Sequence, residues 1–176
     1  CSKPKRIFSK IFMKVVVLYD GEVLAFRAAS VIEKRSVEVI NIKTGGSRQF
    51  ANKTEFRKLM EGKKWDENNV VYNTVQVAQP AKDAFPILKN QIEAINDELF
   101  ADEYKVFISG PDNFRDSLPL PDKYKGNRED SIRPHRLNDC KLYLAKKHPS
   151  EVCVGSEADD YLIFRGYEYL AKGYTV

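Results

Sequence analysis

Runs of apolar residues and the polar breaks between them divide the chain into alternating strands and helices. Lys14–Tyr19 is a short, β-branched run of the kind that forms a buried strand, closed by Asp20-Gly21. Glu22–Lys34 then has helical spacing, with Val23, Phe26, Arg27 and Ser30 at i, i+3, i+4 and i+7. Val37–Lys43 alternates and meets Gly45-Gly46, a hairpin signal. Asn52 to Gly62 predicts a short capped helix with Phe56, Leu59 and Met60 inward. Val70–Ala78 is a further strand, stopped by Pro80. Ala81–Phe100 is the clearest helix: Phe85, Leu88, Ile92, Ile95 and Leu99 mark one face, and Pro86 sits near the first turn, where it is tolerated. Tyr104–Ser109 is a strand, Leu137–Lys147 a helix burying Leu137, Cys140, Tyr143 and Leu144, Val152–Val154 a strand, and Ser156–Lys172 a helix ending at Gly173. Tyr174–Val176 reads as a strand that has only begun.

Strands alternating with helices imply an α/β domain with a mostly parallel central sheet flanked by helices. Ligands of such sheets bind beyond the carboxyl ends of the strands. That rule singles out Asp20, the stretch from Ser109 to Asp112, and the turn from Gly155 to Asp160.

Composition changes this picture little. The 176 residues suit one domain, and 43% hydrophobic with 31% charged residues is a globular balance. The formal charge of +4 is unevenly placed. Lys3, Lys5, Arg6, Lys10 and Lys14 stand in the first 14 residues with no acid, so subtracting those five leaves the rest at −1. Residues 1–13 therefore read as a basic extension, with Met13 a candidate natural start, and net charge alone argues nothing about a nucleic-acid partner. Three cysteines without paired spacing fit a reducing cytoplasm rather than a disulfide framework. Two histidines and no Cys-x-x-Cys offer no structural zinc site. No apolar run approaches the roughly 18–20 residues of a membrane span.

Three elements could carry chemistry. In Gly155-Ser156-Glu157-Ala158-Asp159-Asp160, Ser156 is a good N-cap with Asp159 three residues on, and acids in a first helical turn are favoured by the helix dipole. Three carboxylates within four residues also repel one another, and a hard divalent cation would turn that repulsion into attraction. Capping and metal binding both stand. Asp20, directly after a strand and before Gly21, is either a turn residue or a ligand on the rim of the sheet. The polar stretch 110–136 holds Asn113-Phe114-Arg115 and Tyr124-Lys125-Gly126-Asn127-Arg128 among mixed charges. A solvated loop explains it; so does a segment that grips phosphates, with Lys125 and Arg128 at i, i+3 and Tyr124 or Phe114 free to stack on a base.

These elements occur in an order that resembles the 5′-nuclease superfamily: flap endonucleases, the 5′→3′ exonuclease domains of bacterial DNA polymerases and, above all, bacteriophage 5′-exonucleases. A strand ending in Asp20-Gly21, then Asn113-Phe114-Arg115, then Tyr124 to Arg128, then the Glu-Ala-Asp-Asp of 157–160 covers about residues 14–176. The resemblance implies a PIN-like core with a mobile arch segment, of which 14–176 is the N-terminal portion. It implies metal-assisted phosphodiester hydrolysis with two Mg²⁺ or Mn²⁺ ions, ligated by Asp20, Glu157, Asp159 and Asp160. It places Lys125 and Arg128 in the catalytic machinery as basic residues of the arch, and Arg115, Phe114 and Tyr124 on the nucleic acid. The implied partner is single-stranded or 5′-flap DNA, or RNA. Two departures follow. Ser109 stands about where the family carries a further Asp, with Asp112 nearby, so either the metal shell is looser or Asp112 substitutes. Family members also continue into a strand with an Asp-x-Asp pair and a helix–hairpin–helix, whereas this chain stops at Val176. The expectation is a fragment, a split gene or a truncated chain completed by a downstream segment or a second polypeptide. The competing readings are a catalytically inactive nucleic-acid-binding module of the same fold, and a small soluble protein whose acids are only caps.

Overall fold

The computed structural model describes residues 13–63, 66–117 and 132–176. Its elements in chain order are β1 (Val16–Asp20), α1 (Gly21–Val31), β2 (Glu33–Asn41), β3 (Ser47–Phe50), α2 (Lys53–Met60), β4 (Val70–Ala78), α3 (Phe85–Glu98), β5 (Glu103–Asn113), α4 (Leu137–Lys147), β6 (Ser150–Gly155) and α5 (Ala158–Ala171). The α/β expectation holds. A parallel sheet of order β1-β5-β6 lies between helices, with β5 central. Backbone bonds from Val16 to Thr175 (2.9 Å) and from Thr175 to Lys14 (2.8 Å) lay the segment expected to begin a strand in parallel beside β1.

The sheet is not single, however. Three strands form a separate antiparallel sheet of order β3-β2-β4. Gly45, at φ +70°, makes the reversal between β2 and β3 in a conformation that glycine adopts without a Cβ clash. The nine residues of β2 pair along their length with β4. The helix expected to reach Lys34 stops at Val31, because Glu33 is already paired with Ala78 as a strand residue.

The main core lies on one face of the parallel sheet. Tyr19, Val106 and Ile108 meet Leu24, Ala25, Ala28 and Ala29 of α1, Leu88 and Ile92 of α3, and Cys140 and Leu144 of α4. Burying one Leu or Ile side chain is worth about 1.5–3 kcal/mol. Helix α1 does not turn its expected face inward: Val23 and Phe26 are exposed, and Ala25, Ala28 and Ala29 are fully buried. The reason is close approach. A Cβ on Gly21 would lie 2.7 Å from the carbonyl oxygen of Phe107, so no side chain fits at this point, and beyond it Leu24 is joined by alanines. Leu59 and Leu99, expected inward, are likewise exposed, while Phe56, Leu88 and Ile92 are buried as their periodicity indicated.

The other face of the sheet is covered by α5, with Phe107, Cys153 and Ala158 buried beneath it and Leu18, Tyr161 and Leu162 packed around them. At the border of that cluster, Glu151 accepts from Lys105 and from Arg165, which also donates to Glu168 at 2.8 Å. Burial alone would raise the Glu151 pKa, but these cations hold it below the ordinary value. No helix among the described residues is long and apolar enough to cross a membrane.

Candidate functional site

Parallel strands carry their carboxyl ends to one edge, so Asp20, the last residue of β1, and Gly155, the last of β6, flank the end of β5 on the same rim. Two strand spacings of about 4.8 Å separate the outer strands. This is the edge to which the crevice rule points.

Asp20, Glu157, Asp159 and Asp160 each have a local structural partner there. Asp20 caps α1: its Oδ1 accepts from the backbone N–H of Glu22 at 2.8 Å and of Val23 at 3.3 Å. The cap of α5 falls one residue later than expected. Gly155, at φ +74°, turns the chain, Glu157 occupies the N-cap with extended backbone, and Asp160 takes the third helical position as the partner of a capping box. Asp160 Oδ2 accepts from the Glu157 N–H at 3.2 Å. Ser156 is therefore not the cap. A side chain from the sheet helps instead: Ser109, near the end of β5, accepts the Ala158 N–H on its Oγ at 3.1 Å. At the position where the resemblance leads one to expect an Asp, a hydroxyl thus satisfies a helix N-terminus.

Among the described residues, Arg115 brings a cation to these acids from the 3₁₀ turn Phe114–Ser117 that follows β5. Its guanidinium donates from Nη1 to Asp160 Oδ2 and from Nη2 to Asp160 Oδ1, both at 2.6 Å. Glu157 Oε2 lies 3.8 Å from the same Nη1. The Arg115, Asp160 and Glu157 side chains are 23%, 33% and 14% exposed, so this two-pronged pair is partly withdrawn from water and stronger than a surface ion pair. Arg115 also lies with its guanidinium carbon 4.9 Å from the centroid of the half-exposed Phe114 ring.

Asp159 and Asp112 face solvent. Asp159 Oδ1 accepts from the N–H of Asp160 at 3.0 Å. Asp112 sits where the pairing of β5 with β6 shifts register between Ser109 and Asn113. Tyr124, Lys125 and Arg128 fall in 118–131 and lie outside the described residues.

The fold thus brings the expected acids to one rim and joins two of them, Glu157 and Asp160, through Arg115. It does not gather the expected ligand set. Among the described residues, no three Asp, Glu, His or Cys side chains come together in a group that could hold a metal ion. As arranged, Asp20 and Asp160 accept from backbone amides, and Asp160 also accepts from a planar guanidinium. Arg115, expected on the nucleic acid, is engaged by the acid cluster. Its signal in the sequence was charge complementarity to Glu157–Asp160, which does not reveal a partner 45 residues away.

A second polar constellation escaped sequence reading. The Glu33 side chain, fully withdrawn from solvent, accepts from Arg35 Nε (2.8 Å), Gln76 Nε2 (2.8 Å) and the His135 N–H (2.7 Å). Burial on its own would raise its pKa, but the His135, Arg35 and Gln76 bonds outweigh it and hold the carboxyl below the ordinary value. Gln76 Nε2 also donates to the Arg133 carbonyl at 3.0 Å. These bonds pin residues 133–135, which lead into α4, to β2 and β4.

No protein-family model, curated protein or solved structure matches the chain.

Proposed function

We propose that this chain carries the acid-bearing core of a PIN-like, divalent-metal-dependent 5′-nuclease that acts on single-stranded or 5′-flap nucleic acid. One observation carries the reading. The Asp20-Gly21, Phe114-Arg115 and Glu157–Asp160 elements, far apart in sequence, belong to the carboxyl ends of β1, β5 and β6 or to the segments that follow them on one rim of a parallel sheet. Such a rim is where an α/β sheet receives a ligand. The site residues of this proposal are Asp20, Glu157, Asp159 and Asp160, with Asp112 nearby and Lys125 and Arg128 as the basic contribution of the arch. Mg²⁺ or Mn²⁺ is its cofactor.

A second reading, a nucleic-acid-binding module of the same fold without hydrolysis, is favoured by the engagement of Glu157 and Asp160 by Arg115 and by the lack of a three-acid group among the described residues. One pair of assays separates the two. Fluorescence anisotropy with a labelled 5′-flap DNA reads binding, and denaturing gels with Mn²⁺ or Mg²⁺ read cleavage. Slow cleavage that Asp160→Asn abolishes supports the nuclease. Binding without cleavage, with a salt dependence that flattens in Lys125→Ala/Arg128→Ala, supports the module. Absence of both binding and cleavage rejects both readings.

A further inference from the structure

The rim of the parallel sheet carries acids, whereas the antiparallel sheet and its helix carry cations. We infer that the lobe formed by β3 and α2 is a phosphate-binding surface, on which Arg48 and Lys53 grip the backbone of a nucleic acid. The inference rests on the reading above for the identity of the polyanion.

Three observations carry this. First, Lys43, Arg48, Lys53, Arg57 and Lys58 stand between residues 42 and 60 against one acid, Glu55, a net of +4. The chain after residue 14 sums to −1, so the rest of it carries −5. A polyanion is drawn to such a lobe and repelled by the remainder. Second, among the described residues, neighbours leave most of this charge uncancelled. Arg57 pairs with Glu67, and the Glu55 carboxylate accepts the Ala51 N–H at 2.6 Å. Lys43, Arg48, Lys53 and Lys58 are exposed, with no acid among the described residues within ion-pair distance. Third, two of these cations are held by aromatic rings. Phe50, Phe56 and Tyr72 cluster on the face of the sheet that α2 covers, with centroids 5.2 Å apart for Phe50 and Phe56 and 5.9 Å for Phe56 and Tyr72. The Arg48 guanidinium carbon lies 5.5 Å from the Phe50 centroid, and Lys53 Nζ lies 4.7 Å from that of Tyr72. A ring orients a cation without cancelling its charge, which lowers the ordering cost when an anion arrives. Strand register sets the spacing. Arg48 and Tyr72 both pair with Val39, from opposite sides and on one face. They stand two strand spacings apart, about 10 Å, the axial span of about three phosphates of one nucleic-acid strand. That spacing suits a continuous backbone better than a single phosphate group. Phe50 and Phe56 are themselves buried, so these rings are not available to enter a bilayer.

The test reads binding of the full chain to a labelled 5′-flap DNA by fluorescence anisotropy, between about 50 and 200 mM salt. Arg48→Gln/Lys53→Gln should lower the slope of log affinity against log salt by about 1.4–1.8, since each lost phosphate contact removes about 0.7–0.9. Lys146→Gln/Lys147→Gln, which removes the same charge from the exposed end of α4, should leave the slope unchanged. A measurement on the unmutated protein covers the case in which the lobe variant fails to fold. The DNA should protect Lys53 from acetylation several-fold, read by peptide mass spectrometry, and leave Lys146 and Lys147 unprotected. If the parent binds DNA but the folded Arg48→Gln/Lys53→Gln keeps its slope, or Lys53 is not protected, the inference is overturned and the nuclease and binding-module readings stand. Protection of Lys53 by phosphatidylserine vesicles and not by DNA overturns it in favour of a lipid surface. If the parent binds no DNA, the inference falls with the readings it rests on.

Discussion

Replacing Glu33 by Ala should be among the most damaging single changes in this protein. The carboxylate has no exposed surface and receives three donors: the Arg35 guanidinium, the Gln76 amide and the His135 backbone N–H, all within 2.8 Å. A hydrogen bond to a charged group contributes about 1.5–3 kcal/mol net, and removing one member of a buried charged network costs about 3–5 kcal/mol, because the partners are left desolvated and unmatched. Arg35 is half-exposed and can turn to water, which moderates the loss. The His135 N–H and Gln76 have less freedom. An expected cost of about 3 kcal/mol follows. Glu33→Gln should recover only part of it, since one of its two terminal atoms becomes a donor facing donors. The pH dependence has a definite sign. The folded-state pKa lies below the ordinary 4.5, so the contribution is present above that value and is lost as pH falls through the lower, folded-state pKa. Urea unfolding at pH 7 and at pH 3.5 measures both effects. A loss under about 1 kcal/mol at pH 7, or a difference between parent and Glu33→Gln that does not shrink toward low pH, would refute the view that this network fastens the approach to α4 onto the antiparallel sheet.

Two further predictions concern packing. Gly21→Ala places a Cβ 2.7 Å from the Phe107 carbonyl oxygen and 2.8 Å from Ile108 Cγ1, so it should cost about 1–3 kcal/mol, read as a lowered Tm; an unchanged Tm would show that α1 can retreat freely from the sheet. Burial pushes the Cys140 and Cys153 thiols up to about 11, so at pH 8 neither should react with iodoacetamide in the folded protein and both should label in denaturant; rapid labelling of either under native conditions would place it outside the core.

Much of the fold was legible along the chain because periodicity reports local burial. The run before Asp20, the α3 stripe of Leu88 and Ile92, and the α4 stripe of Cys140 and Leu144 lie where their spacing indicated. Periodicity failed on α1, where alanines pack and Val23 and Phe26 do not. A helix pressed close to a sheet selects for small volume, and hydrophobicity ranking does not register volume. It also failed to divide the strands between two sheets, since an alternating nine-residue run suits either pairing direction.

The acids at strand ends were fixed in place by local sequence alone: Asp20 after a buried run, Glu157 to Asp160 at the head of a helix. Their partners were not, and only the tertiary structure decided them. Arg115 and Asp160 are 45 residues apart and Glu33 and His135 are 102 apart. Each pair meets through the packing of separate elements, Arg115 on the turn after β5 and Asp160 at the start of α5. A side chain's charge is written at its own position. Whether that charge is met by an ion, a guanidinium or a backbone amide depends on which elements lie beside it, and Coulomb energy falls so steeply with distance in a screened medium that only the folded neighbourhood can choose.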